Sequence, residues 1–128
     1  MILHIPLETP SKKNSRVVDR RTGRTFPSKK YTEWHRAASS YLLQQGARNA
    51  GEGPFAVYLE FTHGDRIRRD SDNGVSSVLD LLVDCGVLPD DNWMVVSKIV
   101  TTNLYDKGRP GVQISIVPLT DAEKLSRL

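Results

Sequence analysis

The feature that most constrains the fold is a change of hydrophobic period in the middle of the chain. From Phe55 to His63 apolar and polar residues alternate, which predicts a half-buried strand. From residue 73 to 85 the apolar residues recur at helical spacing, and Gly86 follows as a natural C-terminal stop, so this stretch predicts a helix. The β-branched stretch from Trp93 to Tyr105 then predicts another strand.

The other segments complete a single domain. They predict a strand at 2–7, a hairpin at 16–26 that turns at Gly23, a helix between Ser28 and Gly46, a strand at 112–117 and a short tail helix at 120–128. This order predicts an α+β fold, with a mixed β-sheet and two main helices. We expect one domain over residues 1–128, with 119–128 as a C-terminal tail.

Charge is distributed unevenly along the chain, although the formal net charge is only +3. Residues 11–36 carry nine Lys and Arg against two acids, whereas residues 70–91 carry six Asp and no Lys or Arg. The basic segment suits a polyanion such as nucleic acid, and the acidic one suits a hard cation. Simple solvation of the surface is the alternative interpretation.

Cysteine usage and hydropathy bear on the compartment. The single cysteine, Cys85, excludes an internal disulfide and favours a reducing environment. No apolar run approaches the roughly 20 residues that span a bilayer, and residues 1–7 lack the features of a secretory signal. We therefore expect a cytoplasmic protein that does not enter the membrane.

The segment Arg68-Arg69-Asp70-Ser71-Asp72-Asn73 holds two carboxylates two residues apart. On extended backbone Asp70 and Asp72 point the same way, and a following helix N-terminus favours their ionised form. Two ionised carboxylates at this spacing suit Mg²⁺, which prefers one or two carboxylates together with waters and phosphate oxygens. Helix capping is the alternative explanation for either aspartate alone.

A second acidic motif, Pro89-Asp90-Asp91-Asn92, follows the predicted helix. A plain turn is the alternative to a metal-binding role for this motif. The predicted helix is roughly 20 Å long at about 1.5 Å per residue, so acids at its two ends are not neighbours by default. Only a following strand that runs back alongside the first would bring Asp91 to Asp70 and Asp72.

Taken together, these motifs resemble the RusA family of Holliday junction resolvases. Four stretches within residues 1–118 carry the resemblance: Pro10-Ser11-Lys12-Lys13-Asn14, Arg68 to Asn73, Gly86-Val87-Leu88-Pro89-Asp90-Asp91, and Val95 to Lys98. The resemblance implies a homodimeric, structure-selective endonuclease that resolves four-way DNA junctions in recombination and repair. It implies Mg²⁺ as cofactor, with Mn²⁺ as a substitute, and a bacterial or phage-infected cell as host. It also implies that Asp70, Asp72 and Asp91 are catalytic and bind the metal, with Asp90 as a further metal ligand.

One position departs from the family pattern. The family has a lysine one turn after the second aspartate of its motif, and this chain has Ser76. A lysine would neutralise charge on the phosphate, which a serine does not do. Three explanations stay open: Arg69 or Lys98 takes over the role, the enzyme cuts slowly or prefers another branched substrate, or the protein binds junctions without cutting.

Two further functions therefore compete with the nuclease. One is a catalytically weak or inactive branched-DNA-binding protein, and the other is an interaction protein whose acids only cap a helix and shape a turn. The residues expected to contact DNA phosphates are Lys12, Lys13, Arg16, Arg20, Arg21, Arg24, Lys29, Lys30, Arg68, Arg69 and Lys98. Phe26 is a candidate wedge for a junction, with burial as the alternative. The histidines, His4, His35 and His63, are expected at the surface or in packing contacts.

Overall fold

The computed structural model describes residues 1–11 and 16–119. Within these ranges the elements are β1 (Ile2–Ile5), β2 (Arg16–Val18), β3 (Thr25–Pro27), α1 (Lys29–Gln44), β4 (Phe55–His63), α2 (Val75–Asp84), β5 (Val96–Tyr105) and β6 (Gly111–Pro118). The predicted contacts of Lys12 and Lys13, the side chain of Arg16 and the predicted tail helix at 120–128 lie outside the described residues. Among the residues described, no helix has the length and apolar character needed to cross a membrane.

A four-stranded sheet in the order β1-β6-β4-β5 forms the body of the domain. β6 runs antiparallel to β1 and β4, whereas β4 and β5 are parallel and joined through α2. The inward side chains Phe55, Val57, Leu59 and Phe61 of β4 are buried, as their alternation predicts. The prediction of an α+β fold with a mixed sheet is confirmed.

The first helix begins and ends as the sequence predicts. The Ser28 hydroxyl accepts a hydrogen bond of 3.2 Å from the amide of Tyr31, and the chain leaves the helix through Gly46, whose φ of 72° suits glycine. Trp34 and Ala38 lie buried on the inner face. This helix therefore closes one side of the core.

The second helix begins at Val75, two residues later than the predicted Asn73. A turn precedes it, in which the amides of Asn73 and Val75 donate to the carbonyl groups of Asp70 and Asp72, each at 3.1 Å. The acidic segment is consequently a loop with its own hydrogen bonds, not the first turn of α2.

Close packing at Gly74 explains this late start. A Cβ atom built there would lie 2.8 Å from the Phe61 ring and 2.9 Å from the Thr9 methyl group, so only glycine fits without displacing them. Glycine is also a poor helix former. One turn further on, the buried Ser77 hydroxyl donates to the carbonyl of Pro10 at 2.7 Å, which ties α2 to the segment after β1.

Strand β5 begins at Val96 instead of the predicted Trp93 because Asn92 organises a turn. Its side-chain oxygen accepts from the amide of Met94 at 2.9 Å, and its carbonyl accepts from the amides of Val95 and Val96 at 3.1 and 2.9 Å. The side chains of Trp93 and Met94 are left 78% and 63% exposed.

Candidate active site

The carboxylates of Asp70 and Asp72 face solvent on the loop before α2. Neither forms a hydrogen bond or ion pair with another residue in the described ranges. The N-cap position of α2 is Gly74, and no side chain among those described caps that helix end. Neither Asp70 nor Asp72 therefore caps α2, and no donor group within the described ranges binds either carboxylate.

Arg69, which precedes these acids, points into the molecule. Its guanidinium lies 2.9 Å from the Asp65 carboxylate and 3.5 Å from that of Glu8, and it donates to the carbonyl of Ile67 at 3.1 Å. Only 18% of the Arg69 side chain is exposed, whereas the neighbouring Arg68 is exposed to solvent. Within one chain, Arg69 thus anchors the loop and Arg68 is the more accessible cation of the two.

The turn after α2 distinguishes its two aspartates. Asp90 accepts hydrogen bonds from the amide of Asp91 at 2.7 Å and from the side chain of Asn92 at 2.9 Å, and these bonds lower the pKa of Asp90. The pKa of Asp91 is raised, first because its surroundings partly desolvate it and then because the negative charges of Asp80 and Asp90 lie nearby. Asp90 therefore shapes the turn, and the Asp91 carboxyl group lies close to two other acids, Asp80 and Asp90.

The three predicted catalytic aspartates do not meet within one chain. Because β4 and β5 are parallel, Asp70 and Asp72 follow the end of one strand while Asp91 precedes the start of the other. The ten residues of α2 lie between the two acidic motifs in the chain. No three His, Cys, Asp or Glu side chains in the described part of the chain are grouped to hold a metal ion.

Asp80 is an acidic neighbour that the sequence analysis did not select. It lies on α2 four residues after Ser76, so these two positions share one helical face. Its negative charge contributes to the raised pKa of Asp91, which indicates that it faces the turn that holds Asp91. The four-residue spacing from Ser76 was the available signal.

The hairpin of β2 and β3 forms a two-stranded sheet separate from the main one. Its turn uses Gly23 at a φ of 70°, as predicted. Three exposed arginines, which we call the hairpin-tip arginines, lie in this turn: Arg20, Arg21 and Arg24. Phe26 is 48% exposed, so the burial alternative for its side chain is not met. Lys29 and Lys30 are exposed at the start of α1.

Lys98 lies on the sheet face opposite the helices. Its amino group is 5.9 Å from the centre of the Tyr58 ring. Asn103, on the other face of β5, donates to the carbonyl of Ser71 in the acidic loop at 3.0 Å. Within one chain, therefore, Lys98 and the acidic loop lie on opposite faces of β5, and Arg69 is paired with Glu8 and Asp65.

A family model described as Endodeoxyribonuclease RusA matches residues 6–117, which include both aspartate motifs and the basic hairpin. The Crossover junction endodeoxyribonuclease RusA of Aquifex aeolicus (strain VF5) is 28% identical over 109 residues, which cover 85% of this chain and 85% of that protein. The similarity therefore extends over nearly the whole domain.

Proposed function

Because the chain belongs to the RusA family of endodeoxyribonucleases, we propose that it is a structure-selective nuclease that resolves Holliday junctions by Mg²⁺-dependent hydrolysis. The name of the Aquifex relative, a crossover junction endodeoxyribonuclease, supports a four-way junction as the substrate. In this proposal the protein acts in DNA recombination and repair in the cytoplasm.

The observation that carries the proposal is the state of Asp70 and Asp72. Two adjacent, exposed carboxylates without a partner in the described ranges repel each other and gain nothing structurally. Water solvates exposed carboxylates, and a divalent cation or a substrate group would supply the partner that the described residues do not. Helix capping does not explain the pair, since α2 begins at Gly74 and Val75 without a side-chain cap from the described residues.

The donor set at this loop fits Mg²⁺. Carboxylate oxygens are its preferred protein ligands, and one or two of them suffice when waters and substrate phosphate complete the shell. Asp70 and Asp72 would hold the ion, with Asp91 as the third carboxylate. When bound, the ion would supply Lewis-acid activation of water and charge neutralisation at the scissile phosphate.

The proposal includes a homodimer. The described residues of one chain group no three acids to hold a metal ion, so an ion shared by Asp70, Asp72 and Asp91 would need an approach between two chains. β5 is an edge strand, and its residues after Val96 are all at least partly exposed. An unpaired edge of this kind leaves room for a second copy. Two-fold symmetry would also match two symmetric cuts in a four-way junction.

DNA contact is assigned to the exposed cations. The accessible cations are the hairpin-tip arginines, Lys29, Lys30 and Arg68. Among the described residues, the one acidic partner of these side chains is Glu33, which lies 3.7 Å from Lys29 in an exposed pair. Such side chains bind phosphates without reading bases, which suits recognition of junction shape. Phe26 and Trp93 offer exposed aromatic surface for contact with unstacked bases.

A second candidate function rests on Ser76. Of the two cations expected to replace the family lysine, Arg69 is anchored by acids and Lys98 lies on the opposite face of the sheet. This observation favours a slow nuclease, or a protein that binds branched DNA without cutting it.

A synthetic four-way junction separates these functions. We expect paired nicks with Mg²⁺ and none with chelator, and we expect Asp70→Asn to abolish nicking while a gel shift in chelator is retained. Asp106→Asn, in the exposed turn between β5 and β6, is the matched control and should cut like the wild type. A gel shift without nicks, in Mg²⁺ or Mn²⁺, would support the binding protein. Absence of both would contradict both functions.

A further inference from the structure

The acidic loop is held by a chain of hydrogen bonds that begins at Glu8, after β1. His63 ends β4, and its Nδ1 lies 2.8 Å from the Glu8 carboxylate while its Nε2 lies 2.9 Å from the side-chain oxygen of Asn103. The amide nitrogen of Asn103 then donates to the carbonyl of Ser71 at 3.0 Å. Ser71 stands between the two carboxylates that the proposed function uses.

The orientation of the Asn103 side chain follows from its partner. The Ser71 carbonyl only accepts, so the Asn103 amide must present its nitrogen to Ser71 and its oxygen to His63. His63 bridges Asn103 and Glu8 through its two ring nitrogens, and the side chains of His63 and Glu8 are 19% and 28% exposed.

The loop is thereby fixed on both sides of Asp70. On one side, the Arg69 guanidinium binds Glu8 and Asp65. On the other side, the Ser71 carbonyl is bound by Asn103. Glu8 serves both branches: its Oε2 faces His63, and its Oε1, which faces Arg69, also accepts from the amide of Gly64 at 3.4 Å. The exposed carboxylates thus extend from a backbone anchored to the ends of β4 and β5.

We propose that His63 and Asn103 are positioning residues, which hold the Asp70-Ser71-Asp72 backbone so that both carboxylates face one divalent cation. The proposal rests on the metal-binding role that the proposed function gives to these aspartates. Neither His63 nor Asn103 touches the metal or the DNA. They act through the Ser71 carbonyl.

The decisive variant is Asn103→Asp, which keeps an acceptor for His63 but loses the donor to Ser71. The reporters are the amides of Asn73 and Val75, which close the loop onto the Asp70 and Asp72 carbonyls. In the metal-free protein we expect their hydrogen exchange, followed by NMR, to become about twofold to tenfold faster, as the loss of one hydrogen bond implies. The control Gln113→Glu makes the same chemical change at an exposed site on β6 and should leave both rates unchanged.

A second variant, His63→Phe, removes the residue that links Glu8 to Asn103. Both variants are compared with the wild type for the Mg²⁺ concentration that junction cleavage requires. We expect Asn103→Asp and His63→Phe to raise the Mg²⁺ concentration needed for half-maximal cleavage severalfold, with junction affinity in chelator unchanged. Unchanged exchange at Asn73 in both variants, or an unchanged Mg²⁺ requirement in an enzyme that cuts, overturns the positioning role. If the variants exchange faster but the wild-type protein never cuts a junction, the result supports the anchoring of the loop and contradicts the proposed nuclease function.

Discussion

Replacing Ser76 with lysine restores the cation that the family pattern has at this position, and the structure allows its cost to be worked out. Position 76 is the second residue of α2 and lies four residues before Asp80 on the same helix. An acid–lysine pair at this spacing stabilises a helix by about 0.2–0.5 kcal/mol. A positive charge in the first turn opposes the helix dipole by about 0.3–1 kcal/mol. The two effects nearly cancel, so Ser76→Lys should change the free energy of unfolding by less than about 1 kcal/mol.

The effect on cleavage should be larger than the effect on stability. A lysine near the acidic loop would face the charge that develops on the scissile phosphate, and two unit charges 4 Å apart interact by about 1 kcal/mol even in water-like surroundings. That energy corresponds to roughly a fivefold faster chemical step, and a drier site would give more. We therefore expect Ser76→Lys to speed cleavage at least about fivefold.

Single-turnover cleavage of a four-way junction measures this change, with gel shifts in chelator to report affinity. Ser40→Lys, on the exposed face of α1, adds the same charge elsewhere and serves as the control. A rate that stays constant or falls in Ser76→Lys, with stability unchanged, would refute the reasoning. An equal gain in Ser40→Lys would show that net charge, not position, sets the rate.

Three further outcomes follow from the structure. Gly74→Ala should destabilise the fold by about 1–3 kcal/mol in chemical denaturation, because its methyl group would press into the Phe61 ring. Replacing the hairpin-tip arginines with glutamine should weaken junction binding and reduce the slope of log affinity against log salt by about 0.9 for each phosphate that the protein no longer neutralises. Asp91 should keep its proton to a higher pH than an ordinary aspartate, so its contribution to stability is present at low pH and disappears as pH rises through the folded-state pKa. Asp80→Asn should lower the pKa of Asp91 in an NMR titration, though desolvation, the larger cause, remains.

The sequence predicted those elements whose signals are local. β4 was predicted from residue 55 to 63 and is found there, because strict alternation marks a half-buried strand without help from distant residues. The start of α2 was wrong by two residues, since it depends on the contact of Gly74 with Phe61 and Thr9. Those partners come from other segments, and a local pattern does not contain them.

For the site as well, the sequence predicted which residue types take part but not where the fold places them. Spacing and chemistry selected Asp70 and Asp72, and the family resemblance added Asp91, but the distance between them depends on the parallel direction of β5, which a strand pattern does not encode. The DNA-contact prediction for Arg69 rested on its charge, while its ion pairs with Glu8 and Asp65 appear only once distant segments are folded together. Whether the acids meet across two chains stays a prediction.

The two tryptophans differ in burial, so their fluorescence can report separately on the fold and on the surface near Asp91. Trp34 is 6% exposed in the core and Trp93 is 78% exposed, two residues after Asp91. Added iodide would quench the fluorescence of Trp93 and spare that of Trp34. DNA arriving at the acidic turn would shield Trp93 from iodide, so binding there could be followed in unlabelled protein while the emission of Trp34 monitors the integrity of the fold.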